Sequence, residues 1–437
     1  MSKERYVAAI EVSSSKIMAV VGKVTDDDGH VEVIATEQER GVEGVRYGIV
    51  QNLEETSMRI TRILERLERK PAIAPRTITS AFVGLSGRSL RSICTTVSQT
   101  LPADTEITQE ILDRLHRQAL DTDIDSSLTV VDAIPRTYRV GKYDTQSPKG
   151  SVGNDITATY DLIVCRPEMR RNLTKTLTDK AQLEIKGFVV TALSAAQVIL
   201  SSEEKRQGCM LVDMGAETTT VTIYKNGHLS YFATLPMGGR NITRDITSLN
   251  VLEEKAEDIK VTSGNAMAHD SQSSLNFGGL KMSEVSNIIV ARAEEIVANI
   301  IEQITYAGLK ESDLPGGIVC IGGGAKLNGI LDLLANKTGL AVRRGNLPTY
   351  ITVSDTRAPI SEVLQAISIL YGGATNSTDE CLEVVENQDL PVTGTGHPDD
   401  PAPSPDKPAK KRPKWYEKMR DRMANAFGSN EDDSDLL

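Results

Sequence analysis

The sequence predicts an α/β chain built from two related halves, with a small α+β domain inserted in the first half and a disordered C-terminal tail. Three observations predict it. A three-strand unit occurs twice, a buried strand runs through three glycines into a helix, and the composition changes abruptly beyond about residue 375. The chain has 437 residues, 39% hydrophobic and 25% charged. At roughly 150 residues per domain that is room for about three folded units.

In chain order, YVAAIEV, KIMAVVGK and VEVIAT are apolar or alternating runs separated by a serine turn and by DDDGH, which reads as three antiparallel strands. Met58, Ile60, Ile63, Leu64 and Leu67 then follow one face of a helix. A second amphipathic helix (Ile111, Leu112, Leu115, Ala119, Leu120), the strands LTVVDAI and ITATYDLIVC, and a helix opened by Pro167 make up the insertion and its exit. The three-strand unit returns as GCMLVDM, TTVTIY and LSYFATL, with Glu11 aligned on Asp213, Ser13 on Gly215, and DDDGH on KNGH. Two unrelated meanders are the alternative, and the matched acid at the same strand end argues against it. A polar helical region from Ile242, an amphipathic helix around Val285–Ile304 and the strand-turn-helix GIVCIGGGAKLNGILDLLANKTG complete a body expected to end near Asn376.

Several chemistries are excluded. The five cysteines show no CxxC spacing and read as reduced core residues, and the five histidines are scattered singly, so no zinc pattern exists. A net charge of -11 argues against a nucleic-acid-binding surface. No apolar run approaches the roughly 18 residues that cross a bilayer, and Glu11 interrupts the N-terminal apolar stretch too early for a signal peptide, so a cytoplasmic chain is expected. Glycine is missing at Leu327 for a dinucleotide fingerprint, and no GK[ST] marks a P-loop.

What remains is a phosphate clamp. In IEVSSSK, Glu11 is the acid, Ser13, Ser14 and Ser15 offer hydroxyls, and Lys16 can neutralise phosphate. In DMGAETT, Asp213 is the acid, Gly215 admits close backbone approach, and Thr218 and Thr219 offer hydroxyls. Glu11 and Asp213 would hold Mg2+ through its waters. Either turn alone is an ordinary hairpin; the two together, with the glycines of IVCIGGGAK, are the pattern of a nucleotide cleft.

These residues carry a resemblance. The two turns, the glycine turn, PMGGRNITRDI and EEKAEDIK resemble the phosphate, connecting and adenosine motifs of the actin, heat-shock chaperone and sugar-kinase superfamily. SGRSLRS, VVDAIPRTYRVGKY, LIVCRPEMRRNL and MGGRNITRDI resemble the FtsA family of bacterial cell-division proteins across about residues 5–374. The resemblance implies an actin-like fold of two RNase H-like halves that binds ATP with Mg2+. It implies that Glu257 and Lys260 flank the ribose and adenine, that Gly322, Gly323 and Gly324 with Ala325 pass beneath the adenosine, and that Gly238 and Gly239 form the connecting turn. It implies filaments of the chain with itself, and attachment of the tubulin-like protein FtsZ to the inner face of the membrane. The C-terminal peptide of FtsZ would dock at about residues 275–303, with Arg292 as contact, and other division proteins would be engaged through residues 84–166. On this likeness the first half is 1–83 completed by 167–200, the inserted domain is 84–166, and the second half is 201–374 with a small subdomain at about 242–312.

The chain also departs from the pattern. Glu11 stands for an aspartate, Ser13 and Glu217 for glycines, and Thr220 for an acid, so ATP binding with weak or absent hydrolysis is expected. A sugar kinase or ATPase of the same fold and a related type IV pilus assembly protein are the alternatives; neither needs the tail.

Seven of the 17 prolines fall between Pro391 and Pro413, which reads as a linker over 375–413. At about 100° per residue, Trp415, Tyr416, Met419, Met423 and Phe427 share one face of a helix over 414–428, flanked by Lys414, Lys418 and Arg422. That is the make-up of a helix lying on anionic membrane lipid. A helix docking on a partner protein is the other reading. The acidic residues that follow it have no physical account.

Overall fold

The structure is a computed structural model that describes residues 4–25, 30–267, 276–277, 280–355 and 357–384. The linker and the terminal helix expected from the sequence, with Lys414, Trp415, Tyr416, Lys418, Met419, Arg422, Met423 and Phe427, lie outside the described residues.

The duplicated unit is present and longer than its sequence signal. Glu4–Val12, Lys16–Thr25 and His30–Arg40 form an antiparallel meander, and Ser80–Leu85 and Glu184–Val190 extend it as parallel strands. Cys209–Met214, Thr219–Lys225 and His228–Leu235 repeat the meander, extended in parallel by Ile318–Ile321 and Val342–Arg344. The inner strands Lys16–Thr25 and Cys209–Met214 are buried over nearly their whole length, which explains their continuous apolar runs.

The helix Leu53–Glu68 starts at Asn52, whose side chain accepts the Glu55 N–H, and buries Ile60, Ile63, Leu64 and Leu67. Met58, expected on that face, is exposed. After the second sheet the chain crosses back: Ile351–Val353 joins the first sheet beside His30–Arg40, and the buried helix Ile360–Asn376 packs on Glu4–Val12 and Thr191–Ile199. The expected end of the body needs correction. Beyond Asn376 the chain adds the strand Leu382–Val384, antiparallel to Arg76–Ile78, with Cys381 buried and its carbonyl taking the Thr79 and Ser80 N–H groups. The linker therefore does not start at 375. Cysteine burial also splits, since Cys165, Cys209, Cys320 and Cys381 are buried whereas Cys94 is exposed.

The inserted domain is a four-stranded antiparallel sheet, ordered Tyr143–Thr145, Thr129–Val140, Val152–Cys165, Arg91–Glu106, with the helix Gln109–Leu120 on one face. It grows from the first half yet joins the second. Arg91 pairs with Ala233 on His228–Leu235, so its strands and those of the second half form one nine-stranded sheet. Ser92 Oγ bonds the amide of Phe232 at 3.1 Å, and Arg136 grips Asp161 with two bonds of 2.9 and 2.7 Å while donating to the Ser230 carbonyl at 2.7 Å.

Asp161 is almost fully buried; burial pushes its carboxyl up, and the Arg136 bonds only partly offset that. Arg136→Ala is expected to cost about 3–5 kcal/mol, because it strands that carboxylate. A stranded acid with a raised pKa penalises the folded state more as pH rises above about 4, so the deficit should be smallest in acid. Thermal melts at pH 4.5 and 7.5 check this, and adding Asp161→Leu should recover much of the loss.

Candidate functional site

Each repeated unit places an acid one or two residues from a hairpin turn, and the two turns face one cleft. In the first, Ser13 closes its own turn, its amide and hydroxyl both donating to the Lys16 carbonyl at 3.0 and 2.9 Å. The hydroxyl of Ser14 is buried and accepts the Gly48 N–H at 3.2 Å. Only Ser15 keeps an exposed side chain, so the expectation of three free hydroxyls reduces to one. A glycine would have closed the turn without spending a side chain. Lys16 turns inward, donating to the Glu362 carbonyl and lying 3.7 Å from Glu11 Oε2.

In the second turn the Gly215 amide donates to the Thr218 carbonyl at 2.8 Å, and Thr218 stays partly exposed. Thr219 does not serve as expected. It begins the next strand, where alternation sends its hydroxyl to the opposite face, and there it donates to the Met237 carbonyl at 2.8 Å. Thr220 shares its hydroxyl with Thr234 at 3.1 Å. The connecting turn is stitched on top, with Gly239 N–H to the Gly215 carbonyl at 2.9 Å and Arg240 N–H to the Ala216 carbonyl at 2.7 Å. A Cβ on Gly238 would stand 2.5 Å from the Gly215 carbonyl oxygen, so only glycine fits.

The two acids are near enough to interact through their charges. Glu11 is buried, and its Oε2 makes no hydrogen bond among the described residues. Asp213 accepts from Gln365 Nε2 at 3.1 Å. Asp213 keeps some contact with water, yet it lies deep enough that desolvation, reinforced by the negative charge of Glu11 and opposed by Gln365 and Lys16, pushes its carboxyl up to about 6. The Lys16 ammonium, 3.7 Å from that Glu11 oxygen, is a cation already beside the two carboxylates, and it offsets their mutual repulsion only in part. Among the described residues no group of three or more acids, histidines or cysteines forms a metal cage. A hydrated Mg2+, which keeps most of its waters and takes one or two carboxylates, could be held by such a pair through those waters.

The glycine turn floors the cleft. Gly322 has φ +86°, and a Cβ there would reach within 2.5 Å of the Met214 carbonyl and 2.6 Å of Asp213 Oδ1. Gly324 lies against Met214 and Gly215, Ala325 is buried beneath, and Gly323 faces open space. Beside it, Lys260 Nζ donates to the Gly239 carbonyl at 3.1 Å, to Thr243 Oγ1 at 2.9 Å and to Glu257 at 2.6 Å. Gly215, Gly238, Gly239, Gly324, Glu257 and Lys260, separated in sequence, thus converge.

Arg292 lies on the helix Met282–Tyr306, its guanidinium shared between Asp245 and Glu295. Two contributors escaped the sequence reading. One is Gln365, on a helix that belongs to the first half in space only. The other is the partnership of Glu217, whose buried carboxylate takes the Tyr47 N–H at 2.7 Å, Arg46 at 2.8 Å, Arg244 at 2.8 Å and Arg240 at 3.3 Å. The glutamate in a glycine's place was the available signal.

Two repeated sheets, each ending in an acid-bearing turn, with a glycine floor between them, define an actin-like protein. The sequence model of the family described as "Cell division protein FtsA" matches residues 210–357, and that of the "SHS2 domain inserted in FTSA" matches 87–164. The cell division protein FtsA of Porphyromonas gingivalis is 30% identical over 388 residues, covering 85% of this chain and 79% of that protein. The Bacillus subtilis FtsA is 28% identical over 368 residues, 81% of each. The chain belongs to the FtsA family of cell-division proteins. Among solved structures, a chain of the PilM-PilN type IV pilus biogenesis complex superposes with a TM-score of 0.59 at 17% identity, covering 85% of this chain and 98% of that one; it shares the fold.

Proposed function

We propose that the chain binds ATP with Mg2+ in this cleft, assembles with itself into filaments, and fastens FtsZ to the cytoplasmic face of the membrane. The observation that carries the nucleotide reading is the pair Glu11 and Asp213, with Lys16 beside Glu11, above a floor of bare glycine backbone. Ser15, Lys16, Gly215 and Thr218 would face the phosphates, Gly323 and Gly324 the adenosine, and Glu257 and Lys260 the ribose and adenine. Mg2+ bound there would neutralise phosphate charge. Slow or absent hydrolysis fits a second turn whose Thr220 hydroxyl is spent inside the sheet, leaving no carboxylate at that position to orient a water.

Family membership supplies division-protein partners in general. The specific partners are part of the proposal: the FtsZ C-terminal peptide near Arg292, anionic lipid at the helix 414–428, and further division proteins at residues 84–166. Among the described residues no helix is long and apolar enough to cross a membrane, and attachment is assigned to the tail. Co-sedimentation with anionic vesicles tests it. The full chain with Mg-ATP should pellet, and a chain ending at Asp406 should stay in the supernatant. Equal pelleting of the two would remove the tether.

A further inference from the structure

Glu217 is the point at which the two phosphate turns are tied together, and nothing in the nucleotide reading uses it. Its carboxylate is held from both sides: Arg46 and the Tyr47 amide come from the first half, Arg240 and Arg244 from the helix Gly239–Thr247 of the second. Tyr47 and Gly48 form the tip of a short hairpin between Val45–Arg46 and Ile49–Val50, and both have positive φ, +50° and +77°. A tyrosine in the left-handed region is strained unless its surroundings hold it. Here its amide is bound by Glu217, its carbonyl by the Arg88 N–H at 3.1 Å, and its ring lies under the guanidinium groups of Arg88 and Arg46. The next amide, Gly48, binds Ser14 of the first turn. One hairpin tip therefore touches both turns.

We propose that Glu217 is a releasable pin that holds the cleft closed, so that nucleotide exchange requires it to let go of Arg46 and Tyr47. Two features make it a pin and not a permanent weld. On opening, Glu217 keeps Arg240 and Arg244 of its own half, so no buried charge is orphaned, which is the costly outcome for an ion pair. The cluster also carries surplus positive charge, with Arg46, Arg88, Arg240 and Arg244 around Glu217 and Glu253, so a polyphosphate entering the cleft competes with Glu217 for the same guanidinium groups. Burial alone would raise the Glu217 carboxyl, but the Tyr47 amide, Arg240 and Arg46 outweigh it and hold it below the usual range, so the pin is ionised at neutral pH.

The consequence for exchange rests on the proposed nucleotide site; the pin itself does not. Hydrogen exchange at the Tyr47 and Gly48 amides of the nucleotide-free full chain reads the pin directly, and release of a fluorescent ATP analogue reads its effect. Glu217→Gln and Arg46→Gln should each speed both by about tenfold, and the double variant little more than either one, because they remove the same contact. Unchanged exchange at Tyr47 and Gly48 in a folded Arg46→Gln chain would overturn the pin. Faster amide exchange in the two variants, together with a parent that binds no nucleotide analogue, would keep the pin and reject the nucleotide site. Faster amide exchange with unchanged release would refute the gate.

Discussion

Asparagine at position 213 is expected to make the nucleotide-free protein melt higher and bind Mg-ATP at least about tenfold more weakly. The Asp213 carboxyl stands at about 6 in the fold against an ordinary value of 3.8, so between those pH values the folded chain holds a proton that the unfolded chain has released. Stability contributed by this group therefore falls as pH rises from about 4 to 6, and the full penalty is present at pH 7. That penalty is about 2 kcal/mol, less than the whole shift would give, because the carboxylate keeps some contact with water. Asparagine retains the oxygen that Gln365 bonds and removes the charge that Glu11 repels. The same charge is what a cation needs. In the parent, magnesium-dependent affinity should weaken as pH drops below about 6, where the proton competes. Calorimetric titrations at pH 5.5 and 7.5 with melts of both proteins check the pair of effects; a variant that melts lower and binds equally would show that Asp213 is an ordinary buried acid.

The second large effect concerns the tail. Trp415→Glu puts a charge at the centre of the apolar face read from the sequence, losing buried area and adding a desolvation cost, so vesicle binding should fall steeply with ATP binding intact. Replacing Lys418 and Arg422 by Gln should weaken binding by about 1 kcal/mol per residue, and only on anionic lipid. Filament formation should mask the milder loss, because many weak attachments on one assembly act together. Vesicle flotation with neutral and anionic lipid separates the cases. If Trp415→Glu floats like the parent, the segment is a protein-docking helix.

Much of the fold was legible because duplication is visible in a single sequence: Glu11 and Asp213 announced themselves as counterparts by sitting at the same strand end of the same meander. Glycines at 215, 238, 322 and 324 were legible for a related reason, since close backbone approach leaves a mark on composition. Bonds between the halves were not. Gln365 reaches Asp213 from a helix 152 positions away in sequence, and no local pattern records that crossing. The direction of a side chain at a strand's first residue was also hidden: Thr219 spends its hydroxyl on the Met237 carbonyl, while Thr218, one residue earlier in the turn, stays partly exposed. The long strand Arg91–Glu106 escaped because its alternation is of threonine and serine with few large apolar residues, half of it facing solvent. The closing strand Leu382–Val384 escaped because three residues of pairing leave almost no signal inside an acidic run.

That closing strand decides where a pull would be felt. Any tension arriving from beyond Val384 meets the ladder to Arg76–Ile78 and then Cys381, whose amide and carbonyl are fixed to Tyr6, Thr79 and Ser80. Tyr6 lies in the central strand Glu4–Val12, and Thr79 and Ser80 lead into its neighbour, so the load path runs into the first sheet, and Arg5 of the same strand, bonded to the Asp379 and Ala374 carbonyls, shares it with the end of the helix Ile360–Asn376. A pull on the tail would load the half that carries Glu11 first and reach the half that carries Asp213 only through the bonds between them.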